Sequence, residues 1–120
     1  MSRKTRLLIV EDEWLVAEDH ASVLRDAGYA IIGPAPSVLV ALRLIESEAL
    51  DVAILDIGLN GETSYPVADR LIQKAVPFIF VTGYSPRDLP DRLKSQYIVP
   101  KPVEPSRLVK AVEGVLKAAI

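Results

Sequence analysis

Cysteine is missing from the 120 residues, which excludes disulfides, thiolate nucleophiles and cysteine-ligated zinc. Histidine occurs once, as His20, so one chain cannot build a multi-histidine metal site. A strong charge of either sign is also missing. The net charge is −2, with no basic footprint for direct binding of DNA, RNA or an anionic membrane. No apolar run approaches the roughly 20 residues that span a bilayer. The basic start at residues 1–6 leads only into LLIV, too short for the apolar core of a secretory leader. These absences point to a cytoplasmic protein. The 120 residues fit one domain, taken as 1–120, large enough to bury one core unaided. No repeat, linker or low-complexity segment interrupts it.

What is present alternates between short apolar runs and helical patterns. LLIV (7–10) reads as a first strand, stopped by Glu11, Asp12 and Glu13. Asp12 is placed to cap a helix to about residue 27, with Val16, Ala17, Ala21 and Leu24 on one face and Gly28 ending it. YAIIG (29–33) reads as a second strand, broken by Pro34 and Pro36. Ser37 caps a helix facing inward through Val38, Ala41, Leu42 and Ile45. VAIL (52–55) is a third strand ending at Asp56, followed by a loop rich in glycine and asparagine. A third helix starts near Pro66, with Val67, Ala68, Leu71 and Ile72 inward. FIFV (78–81) is a fourth strand, ending at Thr82 and Gly83, and YIV (97–99) a fifth, ending at Lys101. The last helix starts near Pro105, with Leu108, Val112, Val115, Leu116 and Ala119 on one stripe. Between the fourth and fifth strands, Pro86 and Pro90 leave only Leu89 and Leu93 as an apolar face, so a short or mobile helix is expected over 85–94. Trp14 is expected to pack at the edge of the first helix, and His20 to be exposed or partly packed.

Apolar strands alternating with amphipathic helices imply an α/β fold, a parallel sheet covered on both faces. Right-handed crossovers make it flavodoxin-like and doubly wound, five strands in the order 2-1-3-4-5. Ligands of such sheets bind beyond the carboxyl ends of the strands. There stand Glu11 and Asp12, Asp56, Thr82 and Lys101. Each alone reads as a cap, a turn or a surface charge. Together they place three carboxylates, a hydroxyl and an ammonium in one crevice. Crowded carboxylates repel, a divalent cation relieves this, and all-oxygen ligands suit magnesium. A carboxylate can attack phosphorus, and phosphoryl transfer depends chiefly on positioning and charge neutralisation. Lys101 supplies one positive charge, and Thr82 and the amides near Gly83 supply hydrogen bonds.

The strings LLIVEDE, AILDIGLNGE, FVTGYS and VPKPVE, in this order, resemble the receiver domains of two-component response regulators over essentially the whole chain. The resemblance implies that Asp56 is the phosphoacceptor, that Glu11 and Asp12 are the acidic pair holding Mg2+, and that the Gly58 carbonyl is a further ligand. It implies that Thr82 is the switch hydroxyl, Lys101 the phosphate-binding ammonium and Lys101–Pro102 a cis peptide. VPFIFVTGY, the PKP around Lys101 and DIGLNGE look like the alphaproteobacterial FATGUY subgroup, with Val81 where the nickname has alanine. Such receivers often lack a well-formed fourth helix. Many receivers carry a switch aromatic where this chain has Ile98, and Tyr97 beside it would face the other way. The switch is therefore expected in Thr82, Gly83, Tyr84 and the segment that follows.

The implied function is a signalling phosphoacceptor, not an enzyme, that takes a phosphoryl group on Asp56 from a histidine kinase or histidine phosphotransfer protein. It would act through an unidentified downstream protein or by onward transfer, and assist its own dephosphorylation, with Gly58 and Tyr84 placed to tune that rate. A stand-alone regulator and a piece of a larger one both fit the sequence. A flavin carrier on the same fold would need a Ser/Thr/Gly phosphate loop where Glu11, Asp12 and Glu13 stand. A pseudo-receiver that only binds would not need the full acidic set with Thr82 and Lys101.

Overall fold

A computed structural model describes residues 3–83 and 89–119. Strands β1 (Arg6–Val10), β2 (Ala30–Ala35), β3 (Val52–Leu55), β6 (Phe78–Thr82) and β7 (Tyr97–Pro100) form one sheet, and β4 (Gly58–Leu59) and β5 (Glu62–Thr63) a small hairpin. The helices are α1 (Trp14–Asp26), α2 (Val38–Ser47), α3 (Tyr65–Gln73) and α4 (Pro105–Ala118). The large sheet is parallel throughout, in the order β2-β1-β3-β6-β7. This is the doubly wound order expected, β6 and β7 being the fourth and fifth strands read from the sequence.

Side-chain alternation along the strands divides the core in two. Leu8, Val10, Ala53, Leu55, Phe78 and Phe80 face α2 and α3, where Ala41, Ile45, Val67, Ala68 and Leu71 meet them. Leu7, Ile9, Val52, Ile54, Ile79 and Val81 face α1 and α4, against Ala21, Leu24, Leu108 and Val112. Both faces of the central strands are dry, which is why these strands read as unbroken apolar runs instead of alternating ones. On β7, Ile98 packs on the first cluster and Val99 on the second, leaving Tyr97 half exposed on the side opposite Ile98.

Several expectations are corrected. Trp14 is 70% exposed, because the first turn of α1 offers it no neighbouring layer. His20 is buried on the same stripe as Ala17, Ala21 and Leu24. Ile72 is exposed, lying at the end of α3 beyond its buried residues Val67, Ala68 and Leu71. Ala119 is exposed as the C-cap of α4. Pro34 does not end β2, which continues to Ala35. As the edge strand it needs no donor on its outer side, and the Glu11 N–H donates to the Ala35 carbonyl (3.0 Å). Gly33–Pro34 is cis, as is Lys101–Pro102. The glycine- and asparagine-rich loop is an ordered hairpin, turned by Asn60 (φ 49°) and Gly61 (φ 90°). Left-handed backbone at both central positions is the geometry that joins short antiparallel strands tightly.

Between β6 and β7 the described residues form one 3-10 turn, Asp91–Leu93. Leu89 and Leu93 are buried in the first cluster, and Arg92 forms a two-pronged ion pair with Asp69 of α3 (both bonds 3.0 Å). Tyr84 and the first part of the expected short helix, 85–88, lie outside the described residues.

Candidate functional site

The carboxyl ends of four adjacent strands bring the expected residues together. Parallel register sets Val10 beside Leu55 and Thr82 beside Pro100, so the residues that follow emerge at one level. The Asp56 N–H still donates to the Val10 carbonyl (2.9 Å), and the Lys101 N–H to the Thr82 carbonyl (3.0 Å). These bonds fix the roots of the side chains. The long Lys101 stem then reaches past the end of β6. Its ammonium donates to Glu11 Oε1 (2.6 Å) and Asp56 Oδ2 (2.7 Å).

Glu11 is buried, and its second oxygen accepts the Glu13 N–H (3.1 Å). The N-cap of α1 is Glu13 and no side chain caps that end. This corrects the capping role expected of Asp12, whose side chain lines the cleft instead. One carboxylate oxygen from each of Glu11, Asp12 and Asp56 lies within 4.8 Å of the others. Hard oxygen donors at this spacing can hold a hard divalent cation. Gly58 and Gly83 border the same cleft, of about 610 Å³. Thr82, the residue before Gly83, is buried.

The electrostatics follow from this crowding. Burial pushes the Glu11 carboxyl above its ordinary range, helped by the charge of Asp56 and opposed by Lys101 and the Glu13 N–H. Burial alone would pull the Lys101 ammonium down, but its bonds to Asp56 and Glu11 outweigh that and hold it above the usual lysine value. Both groups keep their protons more tightly, Glu11 chiefly through burial and Lys101 through its two carboxylate partners. A cation entering the acidic set would relieve the crowding.

Two features escaped the sequence reading. His20 borders the internal seam shared by Glu11, Asp56 and Val81. Its spacing from Ala17 and Leu24 was the signal, because all three fall on one helical stripe. The hairpin from Gly58 to Thr63 forms the outer wall of the cleft. The Asn60–Gly61 pair is a strong hairpin marker, but strands of two residues each are too short to show alternation.

A doubly wound parallel sheet with an acidic set and an ammonium at its carboxyl edge defines a class of phosphate-handling α/β domains. The chain belongs to the response regulator receiver domain family, whose model matches residues 7–113. It is 34% identical over 113 residues, 90% of its length, to the transcriptional regulatory protein PdtaR of Mycobacterium tuberculosis, spanning 55% of that protein. The solution structure of SdrG from Sphingomonas melonis superposes with a TM-score of 0.83 at 36% identity, covering 97% of this chain and 99% of that one. The receiver domain of PhyR from Erythrobacter litoralis gives 0.86 at 29% identity, covering 95% and 91%. The chain spans about half the length of the curated relatives it matches. It is therefore a receiver domain homologous to two-component response regulators, a family of signalling phosphoacceptors. Family membership removes the flavin-carrier alternative. No helix among the described residues is long and apolar enough to cross a membrane.

Proposed function

We propose that the domain, residues 1–120, accepts a phosphoryl group on Asp56 in a cytoplasmic phosphorelay. The observation that carries this reading is the Lys101 ammonium bonded at once to Asp56 (2.7 Å) and Glu11 (2.6 Å), with Asp12 alongside. An oxygen of Asp56 attacks phosphorus of a phosphohistidine on a kinase or phosphotransfer protein. The P–N bond breaks and the imidazole leaves with its electron pair. Lys101 moves its hydrogen bond from the carboxylate to a phosphoryl oxygen. The Thr82 hydroxyl and the Gly83 amide complete the cradle. Glu11, Asp12, Asp56 and the Gly58 carbonyl would hold Mg2+, which when bound neutralises charge on the phosphoryl oxygens. Water later hydrolyses the acyl phosphate, a step the domain's own site assists.

We assign the chain to the FATGUY subgroup, on the strength of VPFIFVTGY and PKP and of the likeness to the PhyR receiver. Ile98 stands where many receivers have a switch aromatic, so the change on phosphorylation is carried by Thr82, Gly83, Tyr84 and the segment that follows. It is read by a downstream protein, or the phosphoryl group passes onward. Neither nucleic acid nor membrane is a direct partner.

The test is intact mass after incubation with magnesium and a small phosphodonor, for wild type and Asp56→Ala. One added phosphoryl group on wild type alone is expected. A folded wild type that stays unmodified while its Trp14 fluorescence responds to magnesium would overturn the Asp56 assignment.

A further inference from the structure

The cleft above Asp56 carries more negative charge than the acidic set alone explains. Glu13, beside Asp12, and Glu62, in β5, both line it. Both are exposed. Among the described residues neither side chain makes a hydrogen bond or ion pair, although Glu13 uses its backbone N–H. Among the described residues, Lys101 is the only cationic side chain lining the cleft, and it is already shared between Glu11 and Asp56. Even after a divalent cation joins Glu11, Asp12 and Asp56, the carboxylates outnumber the positive charges. Glu62 is held on a stiff support, because the Asn60–Gly61 turn fixes both strands of the hairpin. Its charge therefore stays on the lining of the cleft that a phosphodonor must occupy to reach Asp56.

We propose that Glu62 is a donor-selecting residue, whose carboxylate disfavours small dianionic phosphodonors relative to donors that carry a compensating positive charge next to phosphorus. The inference rests on Asp56 being the nucleophile. With acetyl phosphate, an Asp56 oxygen bonds to phosphorus, the P–O bond breaks and acetate leaves with the electron pair. This donor approaches as a dianion. Phosphoramidate, whose nitrogen is protonated near neutral pH, approaches with less net charge and places a cation at the leaving group. Glu62 opposes the first more than the second. A phosphohistidine within a basic protein surface belongs to the second chemical class. The domain is thereby biased against free acyl phosphates.

The experiment measures phosphorylation rate constants at saturating magnesium with acetyl phosphate and with phosphoramidate, for wild type, Glu62→Gln and Glu62→Lys. At low salt, Glu62→Gln should raise the acetyl phosphate rate constant by roughly threefold and Glu62→Lys by roughly tenfold, on the scale of one and two charge changes in a solvated cleft. Phosphoramidate should gain less, and the difference should shrink at high ionic strength as the screening length shortens. Equal rate constants in all three proteins, or equal gains for both donors, would overturn the proposal. Wild type that takes no phosphoryl group while folded would instead remove the Asp56 reading, so the two failures are distinguishable. Position 62 is exposed on the hairpin, and circular dichroism of each variant checks that the fold is kept.

Discussion

The Lys101 ammonium stands 2.7 Å from Asp56 Oδ2, tied at the same time to Glu11 Oε1 at 2.6 Å. One cation thus compensates two carboxylates, one of them almost fully buried. Removing one partner of such a pair leaves an uncompensated charge, which costs more than the pair is worth. Breaking a buried pair costs about 3–5 kcal/mol, and the Lys101 side chain is 20% exposed, so Lys101→Met should destabilise the metal-free protein by at most about 3 kcal/mol. The loss should be smaller with magnesium, because the ion takes over the compensation. Thermal unfolding with and without magnesium checks this: the ion should raise the variant's Tm more than the wild type's. An equal rise in both would show that Lys101 does not stand in for a cation.

His20 offers a separate pH signature. Burial lowers its imidazole pKa, reinforced by Lys101 and opposed by Asp19 and Asp56. A depressed folded-state value means that the unfolded chain binds the proton first. The stability linked to His20 is therefore complete above the ordinary value of 6.5 and lost as the pH falls below it toward the depressed folded value. Glu11, shifted upward, gives the opposite slope at lower pH, so wild type alone would blur the two. Urea unfolding of wild type and His20→Gln between about pH 5 and 8 isolates the difference. The wild type should lose ground to the variant on acidification. Parallel curves would mean that His20 charges without cost.

The residues that are hard to see in this sequence share a physical reason. The strands and the positions after them stand out because a sheet buried on both faces forces apolar runs with abrupt polar ends. Asp56 and Lys101 sit at such ends. The buried state of Ala17 and Ala21 followed from periodicity, but His20 on the same stripe did not, since a lone imidazole carries no sign of what covers it. Periodicity also put Ile72 and Ala119 inward, and Trp14 was expected to pack at the edge of the first helix. They occupy helix ends that project past the sheet, where a stripe continues and the layer beneath does not. The capping geometry of α1 was equally invisible. Whether Asp12 caps or turns into the cleft depends on where Glu11 finds its partner, a contact 90 residues away in sequence.

The 3-10 turn before β7 is held by two unequal attachments. Arg92 and Asp69 form good two-pronged geometry but are both largely exposed; such pairs contribute about 0.5 kcal/mol. Leu93 is fully buried, and truncating a buried leucine costs about 3 kcal/mol. Leu93→Ala should thus cost several times more than Asp69→Asn in urea unfolding. The ion pair is then an adjustable contact over an apolar anchor. A double-mutant cycle of Asp69→Asn and Arg92→Gln should return a coupling below about 1 kcal/mol. A larger coupling would make the ion pair a principal restraint on this turn.

Two serines at helix starts should respond to the same substitution with opposite signs. Ser37 Oγ accepts the Val40 N–H at 3.2 Å, the bond that usually makes an N-cap serine worth about 1 kcal/mol over alanine. Ser64 occupies the corresponding position of α3 but makes no cap bond. Its hydroxyl is buried without a partner among the described residues. A buried, unsatisfied hydroxyl carries a desolvation cost that the unfolded chain does not bear. Ser37→Ala should lower stability by about 1 kcal/mol, whereas Ser64→Ala should leave it unchanged or raise it by up to about 1 kcal/mol. Chemical denaturation of both variants in one buffer decides the matter. A loss at Ser64 equal to that at Ser37 would show that its hydroxyl has a partner in solution, at the point where the hairpin wall of the cleft joins α3.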